Sequence, residues 1–253
     1  MAPPVWVACV IVDDDLRARL LRVRERIAAA AEAAGRRPDD VVLLLATKTQ
    51  PVDAVRAAVL ADRAAGSSPL LLGENRVQEL VAKAPALTDL DVAYHLIGPL
   101  QTNKVNAALR VADSVDSVES VDLAQRLSGR CADRERPLDV MVQVNVSGEP
   151  SKHGVEPAAA VDVALAVAAL PGLRLTGLQT VGANSSDEAE VRAGYAMLAR
   201  LRDELVGSHS PGASGAVQLS MGMSGDLEAA IAEGATVVRV GTAVFGARRP
   251  PQA

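Results

Sequence analysis

Along residues 16–34 the apolar positions Leu16, Leu20, Val23, Ile27 and Ala31 recur every three to four residues, with Arg and Glu between them, and Gly35 follows. That spacing predicts one amphipathic helix with a glycine just past its end. The period then changes. Val41-Val42-Leu43-Leu44-Leu45-Ala46 is an unbroken apolar run, the pattern of a strand buried on both faces of a parallel sheet. A helix is predicted at 52–64, and the alternation repeats. Further strands are predicted at 70–73, 93–98, 114–118, 140–146, 173–181, 217–221 and 237–245. Further helices are predicted at 76–84, 121–130, 157–170, 188–206 and 226–233.

Eight strands alternating with helices, without a long linker, point to an α/β fold: a single (β/α)8 TIM barrel more than a doubly wound sheet. One domain over residues 1–253 is expected, with 1–15 an irregular N-terminal extension. The apolar run 5–12 in that extension has no basic segment before it and enters Asp13, Asp14 and Asp15. It is a poor signal peptide and far short of the ~20 residues needed to cross a bilayer. The loop 207–215, rich in small polar residues, is expected to be a flexible surface connection.

Composition narrows the partners. With one Phe, one Trp and two Tyr, the core must be built from Ala, Val and Leu, and no stacking surface for nucleic acid is expected. A formal net charge of -5 argues against attraction to phosphate backbones or anionic membranes, though one local basic pocket for a small anion stays open. Cys9 and Cys131 are isolated, with no CxxC and no His at ligand spacing, so no zinc site is expected. Two free thiols fit a reducing cytoplasm. A monomer is the default expectation.

Three features carry chemistry. Lys48 ends the first strand, and the C-terminal ends of barrel strands open onto the site face. Partial desolvation there favours the neutral amine that attacks an aldehyde; a lysine snorkelling out of a strand end is the alternative. Arg239 interrupts Val237-Val238-Arg239-Val240-Gly241. By period-2 alternation Val238 and Val240 face the helices, and Arg239 points into the barrel. A charge there needs a buried ion pair or a ligand acceptor. Finally, Ser220-Met221-Gly222-Met223-Ser224-Gly225-Asp226 leads into a helix, with Ser224 as the expected N-cap, and Gly241-Thr242 follows the eighth strand. Loops after strands seven and eight commonly hold phosphate in barrels, against ordinary turn chemistry as the alternative.

These residues belong to five ordered motifs: Ala46-Thr47-Lys48-Thr49; Gly73-Glu74-Asn75-Arg76-Val77-Gln78-Glu79; 95–104, beginning His95-Leu96-Ile97-Gly98; 219–226; and 238–246. Together, over about residues 16–248, they resemble the pyridoxal phosphate homeostasis protein family. The resemblance implies a barrel similar to the N-terminal domain of alanine racemase, with pyridoxal 5'-phosphate (PLP) held as a Schiff base on Lys48. Arg239 would face the pyridine nitrogen, and Ser220, Ser224, Gly241 and Thr242 would hold the phosphate. Lys152 matches a family lysine near the cofactor mouth, a candidate for accepting or passing on the cofactor, or else a solvated loop lysine. Asn75 and His95 resemble positions near the ring; Asn75 could instead cap the following helix, and His95 could be a hydrogen-bonded residue inside the barrel. Two departures stand out: Gln50 replaces a second lysine, and Gln179 stands where Met is expected.

A pyridine nitrogen facing Arg stays largely unprotonated, which weakens carbanion chemistry. After the eighth strand only a Pro-rich tail follows, so the second domain of a racemase is not expected. The implied function is a non-catalytic carrier that buffers PLP inside the cell and delivers it to apo-enzymes. A stand-alone PLP-dependent racemase or transaminase and a cofactor-free lyase using Lys48 are the alternatives.

Overall fold

The alternation closes on itself. A computed structural model describes residues 14–66, 69–132 and 134–247. The strands are β1 (Val42–Ala46), β2 (Leu70–Glu74), β3 (Tyr94–Leu96), β4 (Ser114–Val118), β5 (Leu138–Gln143), β6 (Leu173–Gln179), β7 (Gln218–Ser220) and β8 (Val237–Val240). They form a closed parallel barrel in sequence order, with β8 pairing back onto β1. The helices are α1 (Asp14–Ala33), α2 (Val52–Ala64), α3 (Val77–Lys83), α4 (Val105–Ala108), α5 (Val121–Cys131), α6 (Ala160–Ala168), α7 (Glu188–Gly207), α8 (Leu227–Ala232) and α9 (Thr242–Phe245). Among the described residues none is long and apolar enough to cross a membrane, and no His, Cys, Asp and Glu cluster could hold a metal ion.

Each strand divides its side chains between two cores. Leu43, Leu45, Val238 and Val240 face outward and join the helices in the main apolar cluster. The α1 stripe of Leu16, Leu20, Val23, Ile27 and Ala31 is buried there, at about 1.5–3 kcal/mol for each large side chain. Arg24 of α1 grips buried Asp62 of α2 through two hydrogen bonds of 2.9 and 2.8 Å. The other alternating set faces the barrel interior, where Leu44 and Arg239 pair in register. Gly73 makes room for this layer, since a Cβ there would lie 2.2 Å from Leu44 Cδ2.

The structure corrects several expected boundaries. α1 begins at Asp14, so Asp14 and Asp15 are its first turn, where acidic side chains suit the helix dipole. Residues 1–13 lie outside the described ones, as does Cys9. The eighth strand stops at Val240, because Gly241 turns the chain into α9. The short helical segment 102–108 was not legible in the apolar periodicity, being only two turns long. Ser224 is not an N-cap: α8 starts at Leu227 with Asp226 before it. The 207–215 segment has two hydrogen-bonded turns, and Ala213 is fully buried, which ties it down more than a free surface connection.

Candidate functional site

At the C-terminal end of the barrel the expected residues gather on β7, β8 and β1. Arg239 is 5% exposed. Its Nη1 donates to the Ser220 carbonyl at 2.6 Å and to Ser220 Oγ at 2.8 Å, while Nη2 donates to the Thr180 carbonyl at 2.6 Å. Burial pulls its pKa below the usual arginine value, yet guanidinium stays charged in proteins. Among the described residues no carboxylate forms a salt bridge with it; two carbonyls and a hydroxyl bond it directly, while Asp116 and Asp226 favour its charge without touching it. The buried-ion-pair alternative therefore does not hold, and the positive charge remains available to an acceptor in the mouth.

The loop after β7 is built around Gly222. Its φ of +88° and the 2.4 Å approach of Ala230 Cβ to any added Cβ both require glycine. Tyr195 reaches it from α7: its hydroxyl donates to Asp226 Oδ2 at 2.7 Å and accepts from the Gly222 amide. Burial, with Asp226 adding to it, pushes this phenol far above its ordinary pKa, so it is a permanent donor. Asp226 Oδ1 accepts the Met223 amide. The next loop joins this one, because the Ala243 amide donates to Ser224 Oγ at 3.3 Å. None of the amides of Ser224, Gly225, Gly241 and Thr242 donates a backbone hydrogen bond among the described residues. Two linked loops thus present several spare N–H groups beside a buried cation. Such a cradle fits a phosphate.

Lys48 follows β1 and is half-buried. Continuing the alternation from Leu44 and Ala46 places it on the barrel side, next to β8, where a Cβ on Gly241 would stand 3.1 Å from the Ala46 carbonyl oxygen. Both its neighbours are clamped from α3. Thr47 Oγ1 donates to Glu74 Oε1 at 2.6 Å, and Lys83 Nζ donates to the Thr47 carbonyl and to Glu74 Oε1, each at 2.8 Å. Glu79 accepts the Thr49 amide at 2.7 Å. That bond holds Thr49 at φ +65°, a left-handed conformation costly for a β-branched residue. Burial pushes the Glu74 carboxyl above the usual carboxylate range, against the opposing hydrogen bonds of Lys83 and Thr47.

The remaining expected residues sit on other elements. Asn75 packs its side chain against Gly98 and lines a surface cleft with Arg76, Gln78 and Lys104. It does not cap α3, whose N-cap is Arg76 without a side-chain bond. His95 is the middle residue of β3, with Nδ1 2.9 Å from Asp116 Oδ2. Burial opposes its charge, but the fully buried Asp116 outweighs this and the ring pKa is raised. Lys152 is no solvated loop lysine: its Nζ donates to Glu149 at 2.6 Å and to the Gly182 carbonyl at 2.7 Å. Tyr195, Asp226, Asp116 and the Glu74–Lys83 pair were not assigned roles from sequence. Tyr195 lies in the apolar stripe of α7 with Val191 and Leu198, and its one legible signal was a hydroxyl that must find a partner when buried.

This arrangement can be set beside known proteins. Residues 19–249 match the family model of the alanine racemase N-terminal domain. A Pseudomonas aeruginosa protein named pyridoxal phosphate homeostasis protein is 46% identical over 229 residues, covering 90% of this chain and 94% of the relative. The chain belongs to the pyridoxal phosphate homeostasis protein family. Solved structures agree with that family's barrel. An unknown protein of Bifidobacterium adolescentis is 41% identical with a TM-score of 0.85, over 92% of this chain and 95% of that one. PipY of Synechococcus elongatus, solved with PLP bound, is 32% identical with a TM-score of 0.75, over 91% and 100%.

Proposed function

We propose that this chain holds pyridoxal 5'-phosphate covalently and serves its homeostasis, storing the cofactor and delivering it to apo-enzymes without catalytic turnover. The observation that carries the reading is the pair of joined loops after β7 and β8, with spare amides beside Arg239, one strand away from Lys48. A phosphate and a reactive amine one strand apart suit an aldehyde phosphate. When bound, the cofactor supplies an electrophilic aldehyde carbon. Lys48 would hold that carbon reversibly through its side-chain amine.

The chain's own groups divide the work. Ser224, Gly241 and Thr242, with the Gly225 amide, take the phosphate. Ser220 orients Arg239, and its own O–H proton stays free to donate to the phosphate. Arg239 would be the group opposite the pyridine nitrogen. Asn75, just past β2, and His95, on β3, would border the ring. Lys152 breaks from Glu149 and Gly182 to receive the departing cofactor. The non-catalytic part of the reading rests on the homeostasis naming of the relatives and on an arginine, rather than a carboxylate, near the ring.

The test is the visible absorbance of the purified protein and of Lys48→Ala, before and after borohydride, followed by mass spectrometry of the Lys48 peptide. The expected result is a band that the variant lacks and a reduced adduct on Lys48. No band and no adduct after soaking with PLP would overturn the reading. A lasting spectral change on adding alanine would instead favour a racemase or transaminase.

A further inference from the structure

The loop after β7 turns one apolar side chain outward. Among the described residues only two large apolar side chains are exposed, Val217 at 50% and Met223 at 37%. A single exposed apolar residue is ordinary; the surroundings of Met223 are not. Its backbone is tied on every side. The Gly222 carbonyl accepts the Arg239 amide at 2.9 Å, the Met223 carbonyl accepts the Asp226 amide at 3.3 Å, and Asp226 Oδ1 accepts the Met223 amide. The Ser224 carbonyl accepts from Arg26 Nη2 at 3.1 Å. The exposure therefore belongs to an anchored loop. The other described methionines are better covered: Met141 and Met221 are fully buried, and Met197 is half-buried.

A thioether sulfur that meets solvent is open to peroxides. A sulfur lone pair takes one oxygen of hydrogen peroxide, the O–O bond breaks, and the second oxygen leaves as water. The sulfur loses two electrons and the peroxide gains them. The sulfoxide oxygen is a strong acceptor, about as far from the backbone as the amide oxygen of a glutamine. Next to Met223 are the amides of Ser224 and Gly225, which donate to no backbone acceptor among the described residues. In the cofactor reading these donors serve the phosphate. An acceptor on the adjacent residue is tethered to them, and a tethered group competes with free ligand at an effective concentration on the order of millimolar.

We propose that Met223 is an oxidation-sensitive residue of the anion site: as its sulfoxide it occupies the Ser224 and Gly225 amides with the chain's own oxygen and loosens the hold on the phosphate. This rests on the cofactor reading above. The change is reversible, because a dithiol-dependent methionine sulfoxide reductase removes the oxygen as water while two thiols close to a disulfide. The reduced protein keeps cofactor that the oxidised protein releases.

The experiment uses the full chain. Unloaded wild type is treated with hydrogen peroxide, and its peptides are followed by mass spectrometry. Met223 should gain an oxygen before Met197 does, with Met141 and Met221 unchanged. Affinity for inorganic phosphate, and retention of PLP followed by absorbance, should both fall about three- to tenfold, the worth of one hydrogen bond, and recover after reductase treatment. Met223→Leu should show the same affinity before and after peroxide. Met223→Gln, which carries a comparable oxygen permanently, should match oxidised wild type without any oxidant, and thermal midpoints check that both variants fold. Oxidation of Met197 ahead of Met223, an oxidised Met223 that leaves phosphate affinity unchanged, or a peroxide effect that persists in Met223→Leu would each overturn the proposal. Untreated wild type that binds neither phosphate nor PLP would overturn the cofactor reading itself, a failure visible before any peroxide is added.

Discussion

The two flanks of the barrel mouth are held by opposite kinds of chemistry. On the β1–β2 side, Lys48 is flanked by residues clamped to α3 through ionised groups, Glu74, Lys83 and Glu79, packed behind the strand. On the β7–β8 side, Arg239 is held by two carbonyls and a hydroxyl, and its loops are tied by Tyr195, Asp226 and Ser224. The difference follows from what each flank must do. An amine that forms and breaks a covalent bond has to return to one position, and charge-assisted bonds at 2.7–2.8 Å hold a strained backbone there. An anion site must keep its positive charge free of a directly bonded carboxylate until the ligand arrives. A carboxylate beside Arg239 would fill the role reserved for the ligand.

The sharpest way to break the comparison is Glu74→Ala. It strips half-buried Lys83 of its nearer carboxylate and Thr47 of its shorter bond, leaving Thr47 Oγ1 the Gly73 carbonyl at 3.2 Å. Breaking one partner of a buried pair costs about 3–5 kcal/mol. Lys83 keeps Glu79 at 3.2 Å and some exposure, so about 2–3 kcal/mol is expected here by urea unfolding. Imine formation at Lys48, followed by absorbance after mixing with PLP, should slow as well, while affinity for inorganic phosphate should hold. Equal loss of both functions would mean that the two flanks are one cooperative unit.

The reverse test is Tyr195→Phe. It removes the donor to Asp226 and the acceptor for Gly222 without changing the ring. About 1–2 kcal/mol of stability should go with those two bonds. Phosphate affinity, read by titrating inorganic phosphate against the protein, should fall while the Lys48 adduct still forms at saturating PLP. Intact phosphate affinity would show that the loop after β7 keeps its shape without Tyr195.

How much of this was legible in the sequence depends on which face a residue occupies. The barrel was legible, because continuous apolar runs such as 41–46 and stripes such as Leu16 to Ala31 report burial directly. The inward direction of Arg239 was legible for the same reason: one charge between valines leaves period 2 only one solution. The clamp was not. Glu74 lies in a strand where alternation assigns it to the helix side, and nothing in the spacing says that Lys83, one helix later, folds back to meet it. Likewise the start of α8 depends on Asp226 bonding Met223 and Tyr195 rather than on Ser224, a choice made by a tyrosine 31 residues away. Side-chain partners drawn from a different element leave no periodic trace.

The smallest expected effect decides whether the two phosphate loops act together. Ser224 is half-buried, and among the described residues the 3.3 Å bond from the Ala243 amide ties it to the next loop. In Ser224→Ala water can reach that amide, so stability should change by about 0.5 kcal/mol or less. Phosphate affinity should nonetheless drop a few-fold, because the hydroxyl and the spacing between the 223–225 and 241–243 amides are lost together. A titration in which affinity is unchanged would place the anion on the 241–242 amides alone. The β7 loop would then be a support for Arg239 rather than a wall of the site, and the contrast between the flanks would narrow to the environment of a single arginine.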